Sequence, residues 1–372
     1  MVTMHASDWQ IKFKEFEDSV MMTRSLIYVS FRLENQYPVN LDVNNRGENT
    51  LLSKDKELQS LRKTIDELKG KIKIIEESNE SIQTSTFKNE YENVDNGLPW
   101  SALDIMTEYD LVTSEEDVDL LRIVEGGQGD VMKIMKDWVV NWDEEKSLNW
   151  TEIVLKKKSL RDSPGFDASL RSEKGNVEFG DLARVCDIKS LPRDKGLVIA
   201  DGVLNHTEYK ESKSLYLIFV QVITALYTQK EGGSFIMKIF ETETKAMLDL
   251  MYLLGSHYRN VSITKCDAIK SCNSEKYLVC KEFRGIHDER IGDLFTALEK
   301  YNSIIQENPN AVIDGLFTIW ACEKLYHMYK RIVEEWNRTC YKMQHEALKK
   351  TLDFVNCWYL DKYEYESESD NE

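Results

Sequence analysis

Between residues 196 and 283 the chain alternates two kinds of apolar segment, and this alternation limits the fold more than any other feature. "GLVIADG" (196–202), "SFIMKIFE" (234–241), "NVSITKC" (260–266) and "EKYLVCKEF" (275–283) are short and rich in β-branched and aromatic residues. "ESKSLYLIFVQVITALYTQ" (211–229) and "TETKAMLDLMYLLGSH" (242–257) are longer and of helical period. "DLLRIV" (119–124) adds an earlier short apolar run. Strand–helix–strand alternation of this kind predicts a largely parallel α/β sheet with helices on both faces. The pair "GG" (232–233) is expected to punctuate the step from helix to strand.

The flanks read differently. Leu51, Leu58, Ile65, Ile72 and Asn79 recur at one heptad position, and Leu61, Leu68, Ile75 and Ile82 at the other, with Lys54 the charged interruption. That pattern predicts a helix over 51–83, either an oligomerising coiled coil or an amphipathic helix docked on its own domain. After residue 286 the periodicity is helical, through "RIGDLFTALEKYNSIIQE" and "VIDGLFTIWACEKLYHMYKRIVEEWN". The division is an N-terminal segment (1–50), a coiled-coil helix (51–83), an α/β domain (85–286), a C-terminal helical region (287–360) and an acidic, disordered tail (361–372).

Composition excludes several classes. The net charge of −17 argues against a surface that grips nucleic acid everywhere and leaves room for a local basic groove. The 7 cysteines form no CxxC pair and the 6 histidines are scattered, against a zinc ribbon or a disulfide framework. No apolar run approaches the ~20 residues of a membrane span, and no signal-peptide core precedes the first acidic residues. The expected setting is the nucleus or cytoplasm of a eukaryotic or host cell.

Ligands of such sheets bind at the carboxyl ends of the strands. Three candidates fall there. "RIVEGGQGDVMKIM" (122–135) offers Glu125 and the glycines Gly126, Gly127 and Gly129, which let a ligand approach the backbone. "LVIADGVLNH" (197–206) ends a strand on Asp201, and "SFIMKIFE" carries Lys238 among apolar neighbours. A lysine in a buried strand needs a paired charge or a lowered pKa.

Taken in order, "ADG", "GGSFIMKIFE" and "ITKCDAIKSCNSEKYLVCK" resemble the FtsJ-like (RrmJ-like) ribose 2′-O-methyltransferases, in particular the eukaryotic and viral branch acting on mRNA caps. That branch shows a KPxxSRxxNSExYxVCK pattern. Lys265, Asn273, Ser274, Glu275, Tyr277, Val279, Cys280 and Lys281 match it, with Cys266 at the prolyl position and Lys270 at the arginine position. The resemblance covers roughly residues 85 to 285. It implies a Rossmann-like methyltransferase sheet using S-adenosylmethionine (SAM), with a Lys–Asp–Lys–Glu tetrad formed here by Lys88, Asp201, Lys238 and Glu275.

Within that tetrad Lys238 is expected to act as base or principal orienter, its pKa lowered by burial and a neighbouring lysine. Lys88 and Glu275 would position the ribose. For SAM the resemblance implies Glu125, Gly126, Gly127, Gly129 and Asp201, with Asp181 of "NVEFGDLARV" (176–185) at the adenine. For RNA phosphates it implies Lys156, Lys157, Lys158, Arg161 and Lys270. Capped RNA is the expected substrate, no metal is implied, and residues 51–82 are a candidate surface for a second copy or a protein partner. Ribosomal or transfer RNA is the alternative substrate. The family reads D-x-C-x-x-PGGF where this chain has "EGGQGDV" with an arginine nearby, so a catalytically impaired scaffold is the reading from a different class.

Overall fold

A computed structural model describes residues 2–3, 27–33, 55–78, 106, 111, 118–125, 148–155, 166–172, 175–202, 211–265, 274–308, 311–317 and 323–369. Eleven strands and six helices lie among these residues. The strands are β1 (Val2–Thr3), β2 (Ile27–Leu33), β3 (Val118–Glu125), β4 (Leu148–Leu155), β5 (Asp167–Ser172), β6 (Gly175–Asp181), β7 (Lys195–Asp201), β8 (Gln229–Ile239), β9 (Tyr258–Lys265), β10 (Lys276–Phe283) and β11 (Ala311–Phe317). The helices are α1 (Lys56–Ser78), α2 (Val185–Lys189), α3 (Glu211–Thr228), α4 (Lys245–His257), α5 (Asp288–Glu307) and α6 (Glu323–Ser369).

Nine strands form one mixed sheet in the order β1-β9-β10-β8-β7-β3-β4-β5-β6. Its centre, β4-β3-β7-β8, is parallel, and both flanks are antiparallel. The central strands are buried on both faces. Leu121, Ile123, Val198, Ala200, Phe235 and Met237 meet the helical layer, while Leu120, Ile199 and Ile236 are buried on the opposite face. This explains why their sequences are apolar runs without alternation. Helix α3 is apolar almost all round, from Leu215 to Leu226, because it is enclosed by the sheet, α4 and α5.

The succession of strands and helices holds from β7 to β10, but the sheet is not largely parallel. Among the described strands three of its eight pairings are parallel and five antiparallel, because β10 runs against both β8 and β9 and the outer strands are antiparallel too. Two local differences accompany this. The "GG" pair does not separate helix from strand. Helix α3 ends at Thr228, β8 starts at Gln229, and the glycines form a bulge inside β8, where the pairing with β7 shifts between Lys195 and Leu197. Gly232 has φ +80°, and a Cβ on Gly233 would lie 2.8 Å from the Gly196 carbonyl, so the bulge needs both glycines. The segment around "VIDGLF" is not helical. It is β11, paired antiparallel with β2 in a separate two-stranded sheet. The buried Asp249 of α4 fixes it by accepting a 2.8 Å hydrogen bond from the Leu316 N–H.

Helix α1 is the heptad helix. Asp55 caps it, its Oδ1 accepting from the N–H groups of Glu57 (2.9 Å) and Leu58 (3.2 Å). Leu58, Ile65, Leu68 and Ile72 are buried, and α1 packs on α6 of the same chain. At its described positions the seam that the sequence offers to a second copy packs on α6 of the same chain. Arg338 and Lys342 of α6 reach Asp55 and Glu57 at 2.8–3.1 Å, orienting the pair at small net energy because these groups are largely in water. Helix α6 continues through residues 361–369, which composition assigns to a disordered tail. A docked helix propagates at low cost once its first turns are held. Residues 51–54 and 79–83 lie outside the described residues. Among the described residues no helix is long and apolar enough to cross a membrane.

If α1 belongs to the folded unit, Ile65→Ala should lower stability by about 2–5 kcal/mol, read from the urea unfolding curve. An unchanged midpoint would show that α1 contributes no core.

Candidate functional site

The chain winds from β3 to β4 on one side, then returns to lay β7 on the other side of β3. Ligands of open α/β sheets bind in the crevice this reversal leaves at the carboxyl strand ends. Two acids end the strands that border it: Val124 pairs in register with Asp201, so Glu125, the last residue of β3, lies one step beyond.

Asp201 closes β7 and is buried. Lys238 is the penultimate residue of β8, and the Ala200–Met237 pairing places it beside Asp201. Lys238 Nζ and Asp201 Oδ1 make an ion pair at contact distance, off the hydrogen-bond direction. Glu275 immediately precedes β10, and its Oε1 lies 4.0 Å from the same Nζ. The antiparallel pairing of Lys238 with Tyr277 sets this geometry. Tyr277 is fully buried, its ring centroid 5.9 Å from Nζ, and its hydroxyl donates to Glu275 Oε1 at 3.4 Å. Lys265, the last residue of β9, donates to the Glu275 backbone carbonyl at 3.0 Å.

The lysine's charge state differs from the expectation. Burial alone lowers the pKa of the Lys238 ammonium, but the charges of Asp201 and Glu275 outweigh it and raise the pKa above the ordinary 10.5. The expected depression relied on a nearby second lysine. Within the described residues the nearby cation, Arg122, lowers the pKa by less than the two carboxylates raise it, so at rest Lys238 is a cation held between two anions.

Three of the four tetrad residues thus meet at neighbouring strand ends. Lys88 lies outside the described residues, as do Gly126, Gly127, Gly129, Lys156, Lys157, Lys158, Arg161 and Lys270. Asp181 does not join the cluster. It ends β6 at the far edge of the sheet, three strand positions from β3, or roughly 14 Å. Its Oδ1 accepts from the N–H groups of Phe166 (2.6 Å) and Ala183 (2.8 Å), closing the turn that leads into α2. The arginine near the glycine-rich segment, Arg122, is buried and donates to Glu152 Oε1 on β4 at 3.0 Å. Arg171 stands 3.7 Å from the other oxygen of Glu152.

Sequence reasoning missed Gln221. It is fully buried in α3, and its Oε1 accepts from Gly202 N–H (3.0 Å) while its Nε2 donates to Gly202 carbonyl (3.3 Å). Both backbone groups of the residue after Asp201 are thereby fixed. A Cβ on Gly202 would come 2.8 Å from Leu155 Cδ1 and 2.9 Å from Gln221 Oε1, so a side chain here would displace the amide that holds this turn. The available signal was the lone amide inside "LIFVQVITAL".

Residues 149–283 match the model of the FtsJ-like methyltransferase family. The chain carries an FtsJ-like methyltransferase domain. It is distantly homologous to cap-specific mRNA (nucleoside-2′-O-)-methyltransferases. The Dictyostelium discoideum enzyme 1 is 30% identical over 211 residues, 53% of this chain and 25% of that relative. The Trypanosoma cruzi enzyme 1 is 35% identical over 182 residues, 46% of this chain and 49% of the relative. The Drosophila melanogaster enzyme 1 is 28% identical over 171 residues, 44% and 21% respectively. The chain therefore spans at most about half the length of these relatives. Asp201, Gln221, Lys238, Lys265, Glu275 and Tyr277 fall within the matched FtsJ segment; β3, α1, α5 and α6 fall outside it.

Gln221→Leu keeps the volume and leaves the Gly202 N–H and carbonyl without their side-chain partner. A loss of about 1–3 kcal/mol is expected, measured as a lower urea midpoint at unchanged slope. No loss would mean the turn at Asp201 is held by other groups.

Proposed function

We propose that this protein transfers a methyl group from SAM to the ribose 2′-hydroxyl of the first transcribed nucleotide of capped RNA. The observation that carries this reading is the Asp201–Lys238–Glu275 cluster at adjoining strand ends of an FtsJ-like domain. SAM supplies a methyl already activated on a sulfonium, so the protein's task is to align the acceptor oxygen and remove its proton.

Asp201 fixes the Lys238 amine, and Glu275, steadied by Tyr277 and Lys265, holds the other side of the pocket. As an ammonium Lys238 donates to the ribose oxygen and orients it. In its neutral form it accepts the hydroxyl proton as the oxygen–methyl bond forms. The carboxylates at Asp201 and Glu275 favour the charged form and Arg122 opposes them only in part, so a further positive charge in the pocket would raise the population of the neutral one. Lys88 is the residue we assign to that role. Asp181 is assigned to the adenine, and Glu125 with Gly126, Gly127 and Gly129 to the rest of SAM. Lys156, Lys157, Lys158, Arg161 and Lys270 are assigned to RNA phosphates.

Cap specificity rests on the relatives, whose names specify capped mRNA. Incubation with labelled SAM and either m7GpppN-capped or uncapped RNA of one sequence tests it. Label is expected on the capped RNA alone. Equal incorporation into both would contradict the cap assignment, while label on neither would contradict the methyltransferase reading.

A further inference from the structure

One residue after β8 ends at Ile239, four consecutive residues, Glu241, Thr242, Glu243 and Thr244, are each gripped by a helix. From α1, Arg62 pairs with Glu241 at 3.1 Å and with Glu243 in direct contact. From α6, the Tyr341 hydroxyl donates to Glu243 Oε1. Asn337 donates to the Thr242 carbonyl at 3.0 Å and accepts from the Thr242 hydroxyl at 2.7 Å. From α3, Glu211 accepts from Glu243 N–H at 2.6 Å, from Thr244 N–H at 3.0 Å and from the Thr244 hydroxyl at 2.6 Å. Thr242, Glu243, Glu211, Asn337 and Tyr341 are all buried.

The charges show why Arg62 matters. Glu211, Glu241 and Glu243 crowd the first turn of α4, and buried like charges repel strongly unless a cation lies among them. Burial pushes the Glu211 carboxyl up to about 7, with Glu241 adding to the rise. Lys276, fully buried in register with Ile239, senses the charges of Glu241 and Glu211 from the β10 side. Successive strand residues face opposite ways, so Lys276 belongs to this cluster while its neighbours Glu275 and Tyr277 belong to the candidate site. The cluster thus holds the segment that follows β8, three residues beyond Lys238, and faces the buried Lys276 of β10, the residue next to Glu275.

We infer that α1 and α6 form a clamp on residues 241–244 that positions Lys238 and Glu275. Arg62, Asn337 and Tyr341 are its positioning residues. All three lie outside residues 149–283, the segment matching the FtsJ family. The helices flanking the domain are thereby part of its working machinery. This inference rests on the methyl-transfer reading for its functional consequence, and on the contacts alone for its mechanical one.

Hydrogen exchange by mass spectrometry and steady-state methyl transfer, both on the full chain, test it together. In Arg62→Met the amides of 239–244 should exchange about tenfold faster, with those of 118–125 unchanged. The kcat should fall about tenfold or more at unchanged KM for RNA, and Arg62→Lys should recover most of it. Unchanged exchange at 239–244 would overturn the clamp, and so would faster exchange with full kcat. If Arg62→Met does not fold, Tyr341→Phe, which deletes a single hydroxyl, is subject to the same comparison. If the wild type transfers no methyl, the proposed function fails, and the exchange arm still decides whether α1 and α6 hold the segment.

Discussion

The ion pair of Lys238 with Asp201, with Glu275 close by, depends on three strands ending side by side. Parallel pairing of β7 with β8 brings the aspartate to the lysine, and antiparallel pairing of β8 with β10 brings the glutamate. A cation in so apolar a strand is stable only with compensating anions, so the sheet's register and the charge balance each require the other. Shifting β8 by one residue would turn Lys238 to the opposite face, into the helical layer. The glycine bulge at 232–233 is where that register is set.

Around this centre the structure fixes backbone more than side chain. Gln221 holds the turn after Asp201, Lys265 the approach to Glu275, and the clamp from α1 and α6 the exit from Lys238. Each is a buried or half-buried polar group whose partner is a peptide group or a charge of the site's own framework. Such networks are costly to leave half-satisfied, which ties the flanking helices to the integrity of the sheet. The heptad seam of α1 has the same consequence: spent on α6, it delivers Arg62 to the loop beyond β8.

How far the sequence revealed this depends on the kind of signal. β3, β7 to β10 and α3 to α5 were legible because their periods and lengths are clear, and Asp201, Lys238 and Glu275 because their motifs sit at strand ends. The strand β11 was read as helix because "VIDGLF" adjoins a long helical pattern, and its pairing with β2 is a long-range contact that no local period reports. The antiparallel pair β5 and β6, which takes Asp181 to the sheet edge, was hidden for the same reason. The direction of the Lys238 pKa was missed because it depends on which charges lie nearest in space. The partner of Arg122, Glu152, comes from the next strand and was equally invisible.

In the proposed transfer Lys238 rests as a cation and accepts the ribose proton only when neutral. The pH dependence of single-turnover methyl transfer to capped RNA, in wild type and Lys238→Met, tests this most directly. Because the carboxylates raise the Lys238 pKa, the neutral fraction near pH 7 is small and grows about tenfold per pH unit. The wild-type rate should therefore climb with pH from neutrality upward, and Lys238→Met should lose both the rate and the slope. A flat wild-type profile, or a Lys238→Met enzyme that keeps the wild-type rate and slope, would contradict the account.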